Sequence, residues 1–292
     1  MDLLRFAIIG GDMRQVTLAA LLTADGHRVS AFAIDRVKPP DAALASSLEE
    51  CVREADCVLL PMPLLREDSA LNTPLSDMVL TTDEVFAALS PKQIVCGGRI
   101  AEIAHEQAAA HGLILLDYFT REELLIANAA ITAEGAIQVA MEATPATLLG
   151  ARVLLLGFGR IGKLLAQRLR GLGVRVTVTA RDWTDLAWIT AYGYEGILID
   201  KLDANLSGYD ILFNTIPHLI LDADRLRRLD RKTLCIDLSS KPGGIDFEAA
   251  ATRGQKTVWA LGLPGEVAPE TAGAIIRDTI YHILSEQGKN LC

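Results

Sequence analysis

Hydrophobic residues in this chain fall into short unbroken runs, separated by longer stretches in which they recur every three or four positions. Phe6-Ala7-Ile8-Ile9, the runs over 29–34 and 93–96, Cys57-Val58-Leu59-Leu60, and 113–116 have the length of strands buried on both faces. Gly10-Gly11-Asp12, Pro61, Gly97-Gly98 and Asp117 close four of them. After the first run, Val16, Ala19, Ala20 and Leu21 repeat at helical spacing over about 13–24, and Gly26 stops that helix. Strands alternating with helices in this way predict a parallel sheet covered on both sides.

A second series follows a helix expected over about 132–143, which ends near Thr144-Pro145. It runs strand 152–156, helix 161–172 and strand 175–179, then weaker strands at 197–199, 211–213, 234–236 and 258–260. A last helix is expected over about 271–286. The predicted fold is α/β, with two Rossmann-like, doubly wound parallel-sheet domains and an interdomain cleft. Residues 1–130 form a substrate-side domain and residues 131–270 a dinucleotide domain. The segment 271–292 is expected to pack back on the first, by analogy with two-domain dehydrogenases.

The length of 292 residues agrees with about two domains. Half the residues are hydrophobic and 22% charged, which excludes a disordered chain. With 28 Lys and Arg against 37 Asp and Glu, the net charge of -9 argues against a broad nucleic-acid or anionic-membrane surface. A mean hydropathy of +0.28 raises the question of a membrane. Charges or glycines interrupt every long apolar window, so no spanning helix of about 20 residues is expected. Met1-Asp2-Leu3-Leu4-Arg5 has no basic-then-apolar signal layout, which points to a cytoplasmic protein. Cys51, Cys57, Cys96, Cys235 and Cys292 are scattered and read as free thiols. The five histidines show no ligand spacing, so no metal site is expected.

The strongest chemical signal is Gly157-Phe158-Gly159-Arg160-Ile161-Gly162, set between a strand and an amphipathic helix. The first glycine allows the tight turn, the second lets backbone approach a pyrophosphate, and the third lets helix and strand pack closely. The helix start then offers N–H groups and partial positive charge to phosphate. At the end of the next strand stands Thr179-Ala180-Arg181-Asp182, with no acid at the strand end itself. Arg181 suits the 2′-phosphate of NADP, whereas Asp182 could instead accept from the ribose of NAD. NADP is the favoured dinucleotide and NAD the alternative.

Two further strand ends carry polar groups. Asn214-Thr215-Ile216-Pro217 could orient nicotinamide and ribose, or be a plain turn limited by its proline. His218 beside it is a weaker candidate for proton transfer. Asp237-Leu238-Ser239-Ser240-Lys241-Pro242-Gly243-Gly244 suits an anion or the nicotinamide end, with Asp237 and Ser239 as cofactor candidates. On the substrate side, Gly11, Asp12 and Arg14 form a strand-to-helix junction that could bind a carboxylate. Asn128, Thr132 and Glu134 lie at the crossing between domains, although Thr132 also fits a helix N-cap. No general base or nucleophile stands out, so no catalytic residue is assigned.

Taken together, these motifs resemble the A chains of dipicolinate synthase from spore-forming bacteria. The resemblance spans essentially the whole chain, through GGDMRQ (10–15), TAEGAI (132–137), GFGRIGKLLAQRL (157–169), NTIP (214–217), DLSSKPGG (237–244) and the glycine- and proline-rich segments of 260–273. The NTIP turn and the last loop are also loosely similar to shikimate and methylenetetrahydrofolate dehydrogenases. The resemblance implies NADP-dependent oxidation of a dihydrodipicolinate-type ring to pyridine-2,6-dicarboxylate, a CH–CH oxidation, during sporulation in the mother cell. It also implies a partner, the flavoprotein-like B subunit of dipicolinate synthase; a homo-oligomer is compatible with it. The alternatives are an NADP-dependent dehydrogenase of another small acid and a non-catalytic NADP-binding regulatory subunit.

Overall fold

The computed structural model describes residues 2–67 and 69–289. Cys292 and the end of the 271–292 segment lie outside the described residues. The chain forms two units, one made of the residues up to Asn128 together with those from Ala268 onward, the other of Ala129–Val267.

In the first unit the strands are β1 (Arg5–Ile9), β2 (Arg28–Phe32), β3 (Ala43–Leu44), β4 (Cys57–Leu59), β5 (Ile94–Gly97) and β6 (Leu115–Asp117). They make one sheet in the order 3-2-1-4-5-6, and every pairing is parallel. Helices α1 (Met13–Ala24), α2 (Leu48–Val52), α3 (Thr82–Ala87) and α4 (Glu102–Ala110) lie between the strands. Alternation along β1 sends Phe6 and Ile8 to one face and Ala7 and Ile9 to the other.

Helix α5 (Glu122–Ala143) leads into the second sheet, of β7 (Arg152–Leu156), β8 (Arg175–Ala180), β9 (Glu195–Leu198), β10 (Ile211–Asn214), β11 (Leu234–Asp237) and β12 (Thr257–Trp259). Its order is 12-11-10-7-8-9, again wholly parallel, so the chain reverses direction across the sheet between β7 and β10. Helices α6 (Arg160–Gly171), α7 (Trp183–Ala191), α8 (Ala223–Arg228), α9 (Phe247–Arg253) and α10 (Leu263–Val267) cover it. Helix α11 (Pro269–Glu286) belongs to the first unit and lies on α1. The approach is close at Gly273, where an added Cβ would stand 2.8 Å from Thr17 and 2.9 Å from the Arg14 carbonyl.

Two expectations need correction here. The helix predicted to start at Thr132 starts ten residues earlier, so Thr132 is an interior position and no N-cap. Its 22 residues are then long and apolar enough to cross a membrane by length and composition alone, contrary to the expectation that no segment would be. The packing accounts for the apolarity: Leu124 lies in the core of the first unit, and Ala133, Ala136 and Ala140 are fully buried in that of the second. Alanines at this spacing let the helix sit close against its sheet.

The thiols of Cys51, Cys57, Cys96 and Cys235 are free and buried. Burial pushes Cys51 up to about 11 and Cys235 up to about 12, which keeps both as unreactive thiols at neutral pH.

His27 supplies a pH-dependent element of the first unit. It is buried, its Nδ1 accepts from the Leu4 N–H at 3.2 Å, and its ring stands edge-on to Phe6 and Tyr281. Burial, against the pull of Asp25, holds its pKa below the ordinary imidazole value. Below about pH 6.5 the unfolded chain therefore binds a proton that the folded chain resists, and stability falls with pH toward the lowered folded pKa. His27→Gln keeps an acceptor for Leu4 but does not titrate. It is expected to flatten the loss of stability as pH falls below about 6.5, measured as urea unfolding followed by circular dichroism.

Candidate dinucleotide site

The carboxyl ends of β7, β8 and β10 meet at the point where strand order reverses, the usual ligand position in open α/β sheets. Gly157 leaves β7 with φ +96°, and its N–H donates to Thr179 Oγ1 at 3.0 Å. Thr215 returns the tie, donating from Oγ1 to the Leu156 carbonyl at 2.9 Å. Three strand ends are thus bound together before any ligand is considered.

The glycines divide the work as the motif predicts. A Cβ on Gly162 would lie 2.3 Å from the Gly157 carbonyl, and one on Gly157 would lie 2.5 Å from Thr215 Oγ1. A Cβ on Gly159 would meet no protein atom within 4 Å. Gly159 is also the N-cap of α6 and caps it with no side chain. The turn therefore presents bare backbone and a helix N-terminus to the cleft, which fits the pyrophosphate of a dinucleotide. The cleft measures about 460 Å³ and is lined by Gly157, Phe158, Gly159, Thr179, Ala180, Arg181, Thr215 and Pro217 among the expected residues. Arg160, Ile161 and Gly162 build the first turn of α6. Ile216, the apolar member of the NTIP turn, also lines the cleft, as do Asp185, Ile199 and Ile220, which were missed because they come from segments that carry no motif.

Asp182 is occupied. Its side chain caps α7 by accepting from the Asp185 N–H at 2.9 Å, and that bond chiefly holds its carboxyl below the usual carboxylate range. Arg181 remains largely in solvent, with long contacts to Asp182 at 3.4 Å and Asp185 at 3.7 Å. Of the two candidates at this strand end, the arginine is the one whose head group stands clear of structural duty.

The polar residues expected to touch the cofactor from β10 and β11 do something else. Asn214 and Asp237 are fully buried and Ser239 nearly so. Asn214 Nδ2 donates to Asp237 Oδ1 at 2.8 Å and to the Ile216 carbonyl at 3.0 Å. Asp237 also accepts from the Ser239 N–H at 3.0 Å, the Ser239 hydroxyl at 2.7 Å and the Gly244 N–H at 2.7 Å. A Cβ on Gly244 would lie 2.1 Å from Asn214 Nδ2. These side chains brace the NTIP and DLSSKPGG loops from behind, and they are satisfied by one another. Thr179 and Thr215 are likewise engaged by backbone. The hydroxyls and amides read as ligand groups are the internal frame of the site.

On the substrate side the corrections are similar. Asp12 caps α1 and forms a capping box with Gln15. Its carboxylate pairs in two places with Arg14, Nε to Oδ1 at 2.9 Å and Nη2 to Oδ2 at 2.7 Å. Arg14 Nη2 also donates to the Met62 carbonyl, and the residue is buried. Gly11, at φ +96°, lies against Gln15, where a Cβ would come within 2.5 Å. Glu134 is exposed and paired with Arg168 at 3.1 Å, which ties α5 to α6. Asn128 and Thr132 are one turn apart on α5 and share a face. Lys241 and His218 are exposed on the loops after β11 and β10. Among the described residues no group of three metal-ligating side chains comes together.

A wholly parallel sheet with a glycine turn at its reversal point defines the class of a Rossmann-type dinucleotide-binding protein. Residues 116–241 match the family model described as D-isomer specific 2-hydroxyacid dehydrogenase, NAD binding domain. Residues 5–119 match the family model for the N-terminal domain of the dipicolinate synthase A chain. The dipicolinate synthase A chain of Bacillus subtilis (strain 168) is 33% identical over 97% of this chain and 96% of its own. The crystal structure of the corresponding protein from Bacillus halodurans superposes with TM-score 0.88, at 33% identity, over 97% of this chain and 99% of the other. A transhydrogenase from Sinorhizobium meliloti, at 15% identity, covers 97% of this chain and 93% of its own with TM-score 0.72, a likeness of fold alone. The chain belongs to the family of dipicolinate synthase A chains.

Proposed function

We propose that this chain oxidises a dihydrodipicolinate-type ring to pyridine-2,6-dicarboxylate, with NADP+ as hydride acceptor. The observation that carries the reading is the cradle at Gly159, beside an arginine whose competing acid is committed to a helix cap. The name of the Bacillus subtilis relative supports the choice of product. When bound, the dinucleotide supplies an acceptor for the hydride that leaves one ring carbon, while a proton leaves a neighbouring carbon. Aromatisation drives the step, and the protein's task is alignment of two rings and retention of two carboxylates. A strong general base is not required for so favourable an oxidation.

Gly157, Gly159 and the first turn of α6 hold the pyrophosphate, and Arg181 holds the 2′-phosphate. Lys241 is the carboxylate partner that the second unit supplies. The chain works in the cytoplasm beside a B-type partner, a role suggested by its relative's being one chain of a multi-chain synthase.

The test is direct. Purified chain, NADP+ and freshly made product of the dihydrodipicolinate-forming aldolase should give NADPH absorbance at about 340 nm together with the ultraviolet band of the pyridine product. Failure both with and without the B-type partner would refute the reading. Lys241→Ala is expected to raise the KM for the acid about tenfold or more and leave that for NADP+ within about twofold.

A further inference from the structure

Arg14 was the cation expected to meet the substrate from the first unit, and Asp12 and the Met62 carbonyl hold most of its guanidinium. A different arginine on the same edge of that sheet is not so engaged. β5 ends at Gly97, and Gly98 and Arg99 form the turn beyond it. Arg99 takes φ +54°, a left-handed conformation that an arginine rarely adopts and that a glycine would take without strain.

The strain is held in place from several sides. Asp117, at the end of β6, accepts from the Arg99 N–H at 3.1 Å, from the Ile100 N–H at 3.0 Å and from the Phe119 N–H at 2.7 Å. Gly98 donates to the Pro61 carbonyl at 3.1 Å and accepts from the Leu64 N–H at 2.9 Å. It has no room for a side chain, since a Cβ would lie 2.5 Å from Tyr118 and 2.7 Å from Met62. Ala33, Asp41 and Ser69 also take positive φ, and residues held in such conformations cluster at active sites and ligand clamps. The Arg99 side chain lends no packing to the fold: it is exposed, and its guanidinium makes no ion pair or hydrogen bond among the described residues. It stands at the carboxyl ends of parallel strands, the edge at which open α/β sheets take ligands.

We propose that Arg99 is a substrate-positioning residue that grips one ring carboxylate through its guanidinium fork. This rests on the reading of the substrate as a ring dicarboxylate. It places the main carboxylate contact of the first unit on a rigid turn rather than on Arg14. A planar fork pairs with a carboxylate in two places, which fixes ring orientation as well as position.

The test uses the full chain with Arg99→Gln, Arg99→Gly and Arg99→Lys. Three quantities are read: the KM for the dihydro acid, the KM for NADP+, and the dissociation constant of pyridine-2,6-dicarboxylate by calorimetry. Gln and Gly variants are expected to raise the first and third about tenfold or more and to leave the second within about twofold. Lys should restore part of the loss. The Gly variant should also unfold at the same temperature as the parent or higher, because the turn is relieved while the function is lost. An acid KM within about twofold of the parent in the Gln and Gly variants would overturn the assignment, as would equal loss for both substrates with a lowered Tm. A parent chain that oxidises the acid while the variants match it refutes Arg99 alone. A parent chain that neither oxidises the acid nor binds the dicarboxylate refutes the substrate reading and this inference together.

Discussion

Arg181→Ala is expected to lower kcat/KM for NADP+ by about a hundredfold and to change that for NAD+ by no more than about threefold. The 2′-phosphate differs from a hydroxyl by nearly two negative charges, and a charge-assisted pair with it is worth about 1.5–3 kcal/mol. Arg181 can supply that pair because its own contacts to Asp182 and Asp185 are long and solvent-exposed, and such pairs are weak. Asp182 cannot easily take over as a ribose acceptor, since turning away from α7 would uncap the helix. The measurement is parallel kinetics with the two dinucleotides. Equal loss for both would place Arg181 outside the 2′-phosphate contact.

The second large effect concerns stability. Asp237→Ala should leave the Ser239 N–H and hydroxyl and the Gly244 N–H without their acceptor, and strip the Asn214 amide of one of its acceptors, in a site closed to water. A loss of about 3–5 kcal/mol is expected. All three tryptophans, Trp183, Trp188 and Trp259, lie in the second unit, so tryptophan fluorescence reports that unit directly. Trp259 is the most local probe, because its Nε1 donates to the Ser239 carbonyl at 3.0 Å and its ring stacks on Phe247. At about 2–4 °C per kcal/mol, the fluorescence midpoint should fall by about 6–20 °C. A shift under about 2 °C would mean that the network is a minor brace. Asp237→Asn is the control of equal shape, and it too should destabilise, since one acceptor oxygen becomes a donor facing donors.

All the strands but β3 were legible because a strand buried on both faces writes itself as an apolar run, whereas β3 is two exposed residues at the sheet edge. The glycine turn was legible for a related reason. Gly157, Gly159 and Gly162 each answer a requirement set within a few residues, and the nearest obstacles to the first and third are themselves local backbone or the adjoining strand end. The mutual bonding of Asn214, Asp237 and Ser239 was not legible because their partners are 23 or 25 positions apart, or hidden in a turn. From sequence, a polar side chain at a strand end looks the same whether it faces a ligand or another loop. The engagement of Arg14 escaped by the opposite route, in that its partner Asp12 is only two positions away and the pair closes on itself. The early start of α5 escaped notice because 122–131 places Leu124, Leu125 and Ile126 side by side rather than at helical spacing. Arg99 leaves a faint trace, a charged residue directly after Gly97-Gly98 where a third permissive residue would be easier to accommodate.

The division of the first unit into two segments of chain has a consequence for biosynthesis. Leu18 and Leu22 on α1 share a core with Ile276, Ile280 and Ile283 on α11, yet the whole of the second unit is translated between them. At roughly 5–20 residues per second the interval between α1 and α11 lasts on the order of ten to fifty seconds. By its end the second unit has every strand of its own sheet, whereas α1 still presents an uncovered apolar face. The nascent chain therefore completes its dinucleotide domain first and closes the other only when residues 268–289 have emerged. The interval is a window in which a chaperone, or the wrong surface, can reach α1.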